Sequence, residues 1–378
     1  MRWSKVPFES VFLTPPKNGL TRPSKVRGSG IPMINMGELF AHDRIGNIEM
    51  ELVPVNEREL DSMRVEKGDL LFARQSLVLS GAGKCSYVQA AESPTTFESH
   101  IIRVRLNQVI ANPLFYHYYF KSPSCGMTSI VTQGVQAGIR GSDLKQLPVA
   151  LPPLDVQNRI AESIAQYDDL IENNRRRMAL LEAAARQLHR EWFVRLRFPG
   201  HEHTRITNGV PDGWERVPLS DRVTLNYGKA LKAEDRVDGT CPVYGSSGIV
   251  GTHEKALAKA PGIVVGRKGN VGSVYWCPKD YWPIDTVYFI DAETSNLWLY
   301  YALQHMHFIS TDVAVPGLNR DFAYSRALLV PEPRIVRNFL ETAVPLHEQI
   351  AKLDEMNEKL RAARDLLLPR LMSGEIAV

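Results

Sequence analysis

The side chains with the most concentrated chemical potential in this chain are hydrogen-bond donors set among glycines, rather than nucleophiles or metal ligands. One set comprises Arg74-Gln75, Lys84 and the turn TQGVQAGIRGS, which carries Gln133, Gln136 and Arg140. A second comprises Tyr244 in VYGSSG, Arg267-Lys268-Gly269-Asn270, and the turn PGLNR with Asn319 and Arg320. Arg and Lys suit phosphates and guanine edges, while Asn and Gln suit adenine edges. Interleaved glycines let the backbone approach a ligand closely. Taken singly, each cluster also fits a solvated loop. Recurrence at matching places in two copies of a repeat favours binding, with phosphate contact ahead of base contact for any given Arg.

Catalytic patterns fail on inspection. SGAGKC (80–85) suggests a phosphate loop, but Val78 stands where the leading Gly belongs and Cys85 replaces the Ser or Thr. ANPLF (111–115) carries Leu114 where an amino-group methyltransferase loop has a second Pro, so Pro113 reads better as the first residue of a short helix. His201-Glu202-His203 has no third ligand at metal spacing. The expectation is therefore no catalytic residue, no metal and no cofactor held by this chain.

The elements that position these residues are written twice. KGDLLFARQS (67–76) resembles APGIVVGRKG (260–269), each a turn and apolar strand leading to Arg74 or Arg267. AGIRGSDLKQLPVALPPLDVQNRI (137–160) resembles PGLNRDFAYSRALLVPEPRIVRNF (316–339), each a polar turn, a short strand, a Pro-rich exit and a helix start. The runs HIIRVRL and TVYFI read as strands, and PLFYHYYFKS and NLWLYYALQHM as short helices, giving a mixed α+β module with a β-rich core.

Each copy ends in a helix with an apolar seam. Ile160, Ile164, Tyr167, Ile171, Asn174, Met178, Leu181, Ala185, Leu188 and Trp192 follow steps of four and three, apolar except for Asn174. A single polar residue in such a seam fixes register. Phe339, Ala343, Leu346, Ile350, Leu353, Asn357, Leu360 and Leu367 repeat the spacing, with Arg364 breaking it and Pro345 expected to delay the helix to Leu346 and shorten it. The two seams most simply bury each other as an antiparallel pair. A helix of about 40 residues is roughly 60 Å long, enough to set two reading heads one DNA turn of about 34–36 Å or more apart. Arg175, Arg176 and Arg177 beside Asn174 form either a solvated face or a docking surface.

Length and composition agree with two or three domains: 378 residues, 44% hydrophobic, 23% charged, net charge +3. That charge permits a nucleic-acid partner without requiring one. Four dispersed cysteines without a C-x-x-C pair argue for a reducing cytoplasm rather than a disulfide scaffold. The N-terminus lacks an apolar signal core, and no run approaches the length of a membrane span.

LPVALPPLDVQNRIAESIAQYDDLIENNRRRMALLEAAARQLHREWF resembles the central conserved region of type I restriction-modification specificity subunits. GLNR…LLVPEP, with the ending ARDLLLPRLMSGEI, resembles their distal conserved region. The second module's PDGWERVPLSDRVTLNYGKAL, PVYGSSGIVG and GRKGNVGSV are similar to their target recognition domains, whereas the first module opens with RWSKVPFESVF and lacks the P-x-G-W lead. The resemblance implies an α+β fold in which two pseudo-symmetric target recognition domains (1–153 and 199–332) are joined and spaced by two long antiparallel coiled-coil helices (154–198 and 333–378). It implies a non-catalytic subunit in which each domain reads half of a bipartite double-stranded DNA target. The helices would set the gap and dock two methyltransferase subunits carrying S-adenosylmethionine. Restriction subunits using ATP and Mg would add cleavage. A coiled-coil scaffold whose modules bind proteins is the alternative.

Overall fold

The computed structural model describes residues 3–134, 136–306, 308 and 317–376. These divide into two compact units, Met1–Glu172 with Asn357–Val378, and Asn173–Met356. Eight α-helices are used below: α1 Met36–Ala41, α2 Glu57–Met63, α3 Pro113–Lys121, α4 Gly141–Gln146, α5 Leu154–His189, α6 Leu297–Gln304, α7 Arg320–Tyr324 and α8 Pro333–Met372. None is long and apolar enough to cross a membrane.

In the first unit a five-stranded sheet runs in the order Phe12–Asn18, Ile101–Leu106, Leu70–Ala73, Cys85–Val88, Arg44–Ile45. Leu70, Leu71, Phe72 and Ala73 are all buried because the strand is covered on both faces, which explains its unbroken apolar run. One face packs with the aromatic helix α3, where Phe115, Tyr116, Tyr118 and Tyr119 join Phe8 and Phe72. The Asn112 side chain caps α3 by accepting from the amides of Leu114 and Phe115, and Pro113 opens the helix where its missing N–H costs nothing. Gln157 at the start of α5 is fully buried, accepts from the Asn112 amide at 2.8 Å and donates to the carbonyls of Ile110 and Pro152. The long helix is thereby pinned to the module it leaves. Ile160, Ala161 and Ile164 of α5 share that core with Leu368, Leu371 and Met372 of α8.

The second unit repeats the plan with a four-stranded sheet, Asn226–Tyr227, Val287–Ile290, Gly262–Gly266, Val274–Cys277. Its helix α6 is capped by Asn296 as α3 is by Asn112. Here the end of α5 meets the beginning of α8: Ala185 and Phe193 pack with Phe339 and Ala343. Beginning against end in one unit, and end against beginning in the other, is the antiparallel pairing expected. The segment after α5 is folded down, since Phe198 is buried and packs against Trp214 with ring centroids 4.8 Å apart and the planes tilted by 35°.

The seam spacing holds along both helices. Ile160, Ile164, Ile171, Asn174 and Ala185 are buried, and Tyr167, Met178, Leu181, Leu188 and Trp192 are half-buried. In α8, Leu353 and Asn357 are buried and Leu346, Ile350, Leu360 and Leu367 half-buried. Trp192 lies in a π-helical turn, Arg190–Val194, that closes the first helix. Two expectations about α8 are corrected: it starts at Pro333 rather than Leu346, and at 40 residues it is longer than the 36 of α5. Pro345 sits inside it, on the exposed side together with Glu341, whose carbonyl the ring cannot bond. A proline there costs about 3 kcal/mol, which the buried Phe339, Ala343 and Leu353 offset at about 1.5–3 kcal/mol for each large apolar side chain.

The first module does possess a lead equivalent to that of the second. Lys5–Pro7 pairs antiparallel with Pro148–Ala150, and Glu215–Pro218 pairs antiparallel with Ala327–Val330. Just beyond, the Phe8 amide donates to Leu147 and the Leu219 amide to Arg326, at 3.0 and 2.8 Å. Trp3 and Trp214 stand five residues before Phe8 and Leu219 respectively, so RWSKVPF and GWERVPL are one element with altered flanks.

Candidate nucleic-acid interface

In the first module the sheet edge gathers residues that lie far apart in the sequence. Gln75–Ser76 pairs with Ala137–Gly138, which pairs with Thr132–Gln133, forming a small three-stranded sheet. Gly138 lies opposite Gln75, and a Cβ on it would fall 3.1 Å from the Arg74 carbonyl. Glycine relieves that tight approach, since a larger residue would push the two strands apart by a few tenths of an ångström. The Ile139 amide donates to the Arg74 carbonyl at 3.0 Å, setting Arg140 at the start of α4. Arg74, Arg140 and Lys145 then line a single cleft of about 320 Å³ together with Asn18, Ser142 and Ile102. Gln133 and Gln136 are exposed on the adjoining turn.

The second module uses the same backbone device. The Leu318 amide donates to the Arg267 carbonyl at 2.8 Å, and Lys268 bridges Gly317 as Gln75 pairs with Gly138. Two guanidiniums flank one exposed ring: Arg267 and Arg320 lie 5.2 and 5.1 Å from the centroid of Tyr227. Arg267 also donates to the Asp285 carbonyl at 2.8 Å, so it is fixed rather than swinging free. Tyr288 underlies the group and donates to the Leu318 carbonyl at 3.0 Å; burial raises its hydroxyl to about 12. A cationic pair with one fixed member on an aromatic platform can bind phosphate oxygens and stack against a base.

Strand register makes Tyr227 and Asn18 counterparts. Tyr227 lies opposite Tyr288, which lies opposite Val265. Asn18 lies opposite Ile102, which lies opposite Phe72. Val265 and Phe72 each stand two residues before the conserved-in-both-copies Arg267 and Arg74. Sequence reading passed over Asn18 and Tyr227, because their strands lie outside the visible repeat segments, and over Lys145, which lies within segment 137–160 but is matched by Tyr324 rather than a basic residue in the second copy.

Other expected contacts are engaged structurally. Lys84 donates to the Phe40 carbonyl at 2.7 Å, pairs with Asp43 at 3.4 Å and lies over the Phe40 ring, and it does not line the cleft. Tyr244 is buried within an aromatic cluster with Tyr281, and burial drives its hydroxyl strongly upward. Asn319 caps α7 by accepting from the Asp321 and Phe322 amides. Asn270 donates to Ser247 Oγ at 3.1 Å and braces its own loop. Arg74, Gln75, Gln133, Gln136, Arg140, Arg267, Lys268 and Arg320 remain at least partly open to solvent. Arg175, Arg176 and Arg177 are exposed on α5.

Comparison with known proteins agrees with this duplicated arrangement. The family described as Type I restriction modification DNA specificity domain matches residues 3–183 and 211–321, more than half of the chain and one span for each copy. The chain belongs to this family. Members similar to it include the MjaIX specificity subunit of Methanocaldococcus jannaschii, 23% identical over 95% of this chain and 90% of that protein. The EcoKI specificity subunit of Escherichia coli (strain K12) is 29% identical over 50% of this chain and 44% of its own length. The crystal structure of a type I restriction-modification S subunit from M. genitalium shares the fold, with a TM-score of 0.57, 17% identity, and coverage of 98% and 96% of the two chains. As a specificity subunit with two target recognition domains, the chain departs from the scaffold alternative.

Proposed function

We propose that each target recognition domain of this specificity subunit reads one half of a split double-stranded DNA target through its Arg-centred strip. In the first domain the strip is Arg74, Gln75, Arg140 and Lys145 with Asn18; in the second it is Arg267, Lys268 and Arg320 with Tyr227. The observation that carries this reading is the repeated main-chain hydrogen bond, Ile139 to Arg74 and Leu318 to Arg267, which holds a second basic or amide side chain beside the first in both copies. Main-chain bracing lets side chains differ between the domains, which is what an asymmetric target requires.

The paired helices would act as the ruler between half-sites and dock two methyltransferase subunits, which would supply S-adenosylmethionine and transfer methyl groups to adenine. Restriction subunits would add ATP- and Mg-dependent cleavage. On this reading the chain contributes recognition and assembly, and its domains are 1–153 and 199–332 with the helices 154–198 and 333–378 between and after them. The test is a methylation map of DNA from cells expressing the chain with its methyltransferase partner. A bipartite motif with a fixed gap, absent when this chain is omitted, is the expected result. No new motif with a demonstrably active partner would refute the reading.

A further inference from the structure

The loop after Gln75 carries Leu77, Val78 and Leu79, exposed to 85, 60 and 54%. They are the only three consecutive large apolar residues so exposed among the described residues. The loop is firmly built. The Val78 amide donates to Ser76 Oγ at 3.2 Å, the Gly81 amide to the Val78 carbonyl at 3.0 Å, and a 3-10 turn covers Leu79–Gly81. Gly81 fits against Ser76 so closely that a Cβ would lie 2.2 Å from its Oγ. The apolar side chains are therefore held outward by the loop's own bonds.

The second domain lacks this feature. In both domains one hydrogen bond closes the loop: the Gly83 amide donates to Ala73 and the Gly272 amide to Gly266, at 2.8 and 2.9 Å. The closing residues are ten apart in the first domain (83 − 73) and six in the second (272 − 266). The first loop thus has four additional residues, and its apolar run lies inside this longer loop. Leu77 follows Arg74 by three residues, at most about 11 Å of chain, so the tip emerges next to the basic cleft formed by Arg74, Arg140 and Lys145.

We propose that Leu77, Val78 and Leu79 form a wedge that enters DNA at the first half-site and partly unstacks a base step. The proposal rests on the DNA-reading function above and specifies how one domain performs it. Apolar wedges anchored by flanking basic residues are a recurrent means of kinking a duplex. Continuity with the Arg-lined cleft selects DNA as the occupant, because the cations beside the tip suit a polyanion. The second domain, with its short loop and Tyr227 platform, reads its half-site without a wedge.

The experiment uses the assembled methyltransferase on duplexes with 2-aminopurine scanned through each half-site. The adenines that receive methyl groups are omitted, since methyl transfer itself flips them. Wild-type complex is expected to raise fluorescence at one step of the first half-site. The variant L77S/V78S/L79S should abolish that rise and weaken binding about tenfold, with an unchanged melting temperature and an unchanged slope of affinity against salt. R74A should instead flatten the salt slope. Absence of any fluorescence rise in a half-site that the complex methylates would overturn the wedge, as would wild-type affinity in the triple variant. Loss of assembly with the methyltransferase by the triple variant would identify the tip as a protein contact and would also overturn it. Failure of wild-type complex to methylate a bipartite motif would refute the underlying function instead.

Discussion

Asp168 on α5 accepts a hydrogen bond from Arg364 on α8 at 2.6 Å, at the point where the apolar spacing of α8 admits a charge. The other carboxylate oxygen of Asp168 accepts from the Tyr118 hydroxyl at 2.8 Å. Burial alone would raise the Asp168 pKa, but the Arg364 guanidinium and the Tyr118 hydroxyl hold it below the usual range. Arg364 thus occupies a seam position as an ionic staple joining both long helices to α3. Arg364→Ala is expected to cost about 1–3 kcal/mol by stranding a carboxylate, read as a lower melting temperature. Combining R364L with D168N, which removes the stranded charge and keeps an acceptor for Tyr118, should recover most of the loss. A single R364A variant as stable as the parent would show the staple to be idle.

The two domains should fail separately at DNA. R140A is expected to weaken recognition of one half-site, and R320A or Y227A that of the other, as read by methylation of duplexes carrying one altered half at a time. Each Arg that contacts a phosphate should also reduce the salt slope of binding by about 0.9. Equal loss at both halves from any one substitution would contradict two independent reading heads.

Acid should loosen both units through buried histidines. His117 on α3 is fully buried with no hydrogen-bond partner on either ring nitrogen among the described residues; burial, then Lys121, lowers its pKa to about 3. His189, buried against Phe193 and Phe339, is likewise lowered to about 3 by burial and His305. Between about pH 6.5 and 3 the unfolded chain binds a proton that the folded chain refuses. Stability is therefore complete above about 6.5 and falls as pH drops, by up to about 1.4 kcal/mol per pH unit for each histidine. Melting temperatures at pH 7 and 5 should differ less in H117F and H189F than in the parent, and an unaltered difference would exclude these residues as its source.

Pro345 offers a test of the long second helix. Replacing this exposed residue with Ala restores an N–H to an otherwise continuous helix and should raise the melting temperature. Unchanged or lower stability would mean the local backbone is already adapted to the ring.

Much of this architecture was legible because helices and duplications leave periodic marks. The four-three spacing from Ile160 to Trp192 located one long helix, and the paired segments around Arg74 and Arg267 located equivalent strands. Pro345 misled because propensity is local, whereas the seam on either side of it is a tertiary interaction. The site was half legible. Arg74, Arg140, Arg267 and Arg320 were visible, but Asn18 joins the first pair and Tyr227 the second only through strand register, which no residue spacing encodes. Tyr244 and Lys84 misled in the opposite sense: an aromatic or a lysine near glycines looks available until the core cluster around Tyr281 or the Phe40 carbonyl claims it.

The bonds from Ile139 to Arg74 and from Leu318 to Arg267 use only backbone atoms. Any residue accepting these φ/ψ angles can supply the carbonyl, and any except proline can supply the amide. The scaffold of the reading edge is consequently indifferent to the letters displayed on it. If these strips read the target as proposed, substitution at positions 18, 75, 140, 227, 268 and 320 would change the recognised sequence while both hydrogen bonds persist. For a specificity subunit, that indifference is a capacity to change vocabulary while keeping its grammar.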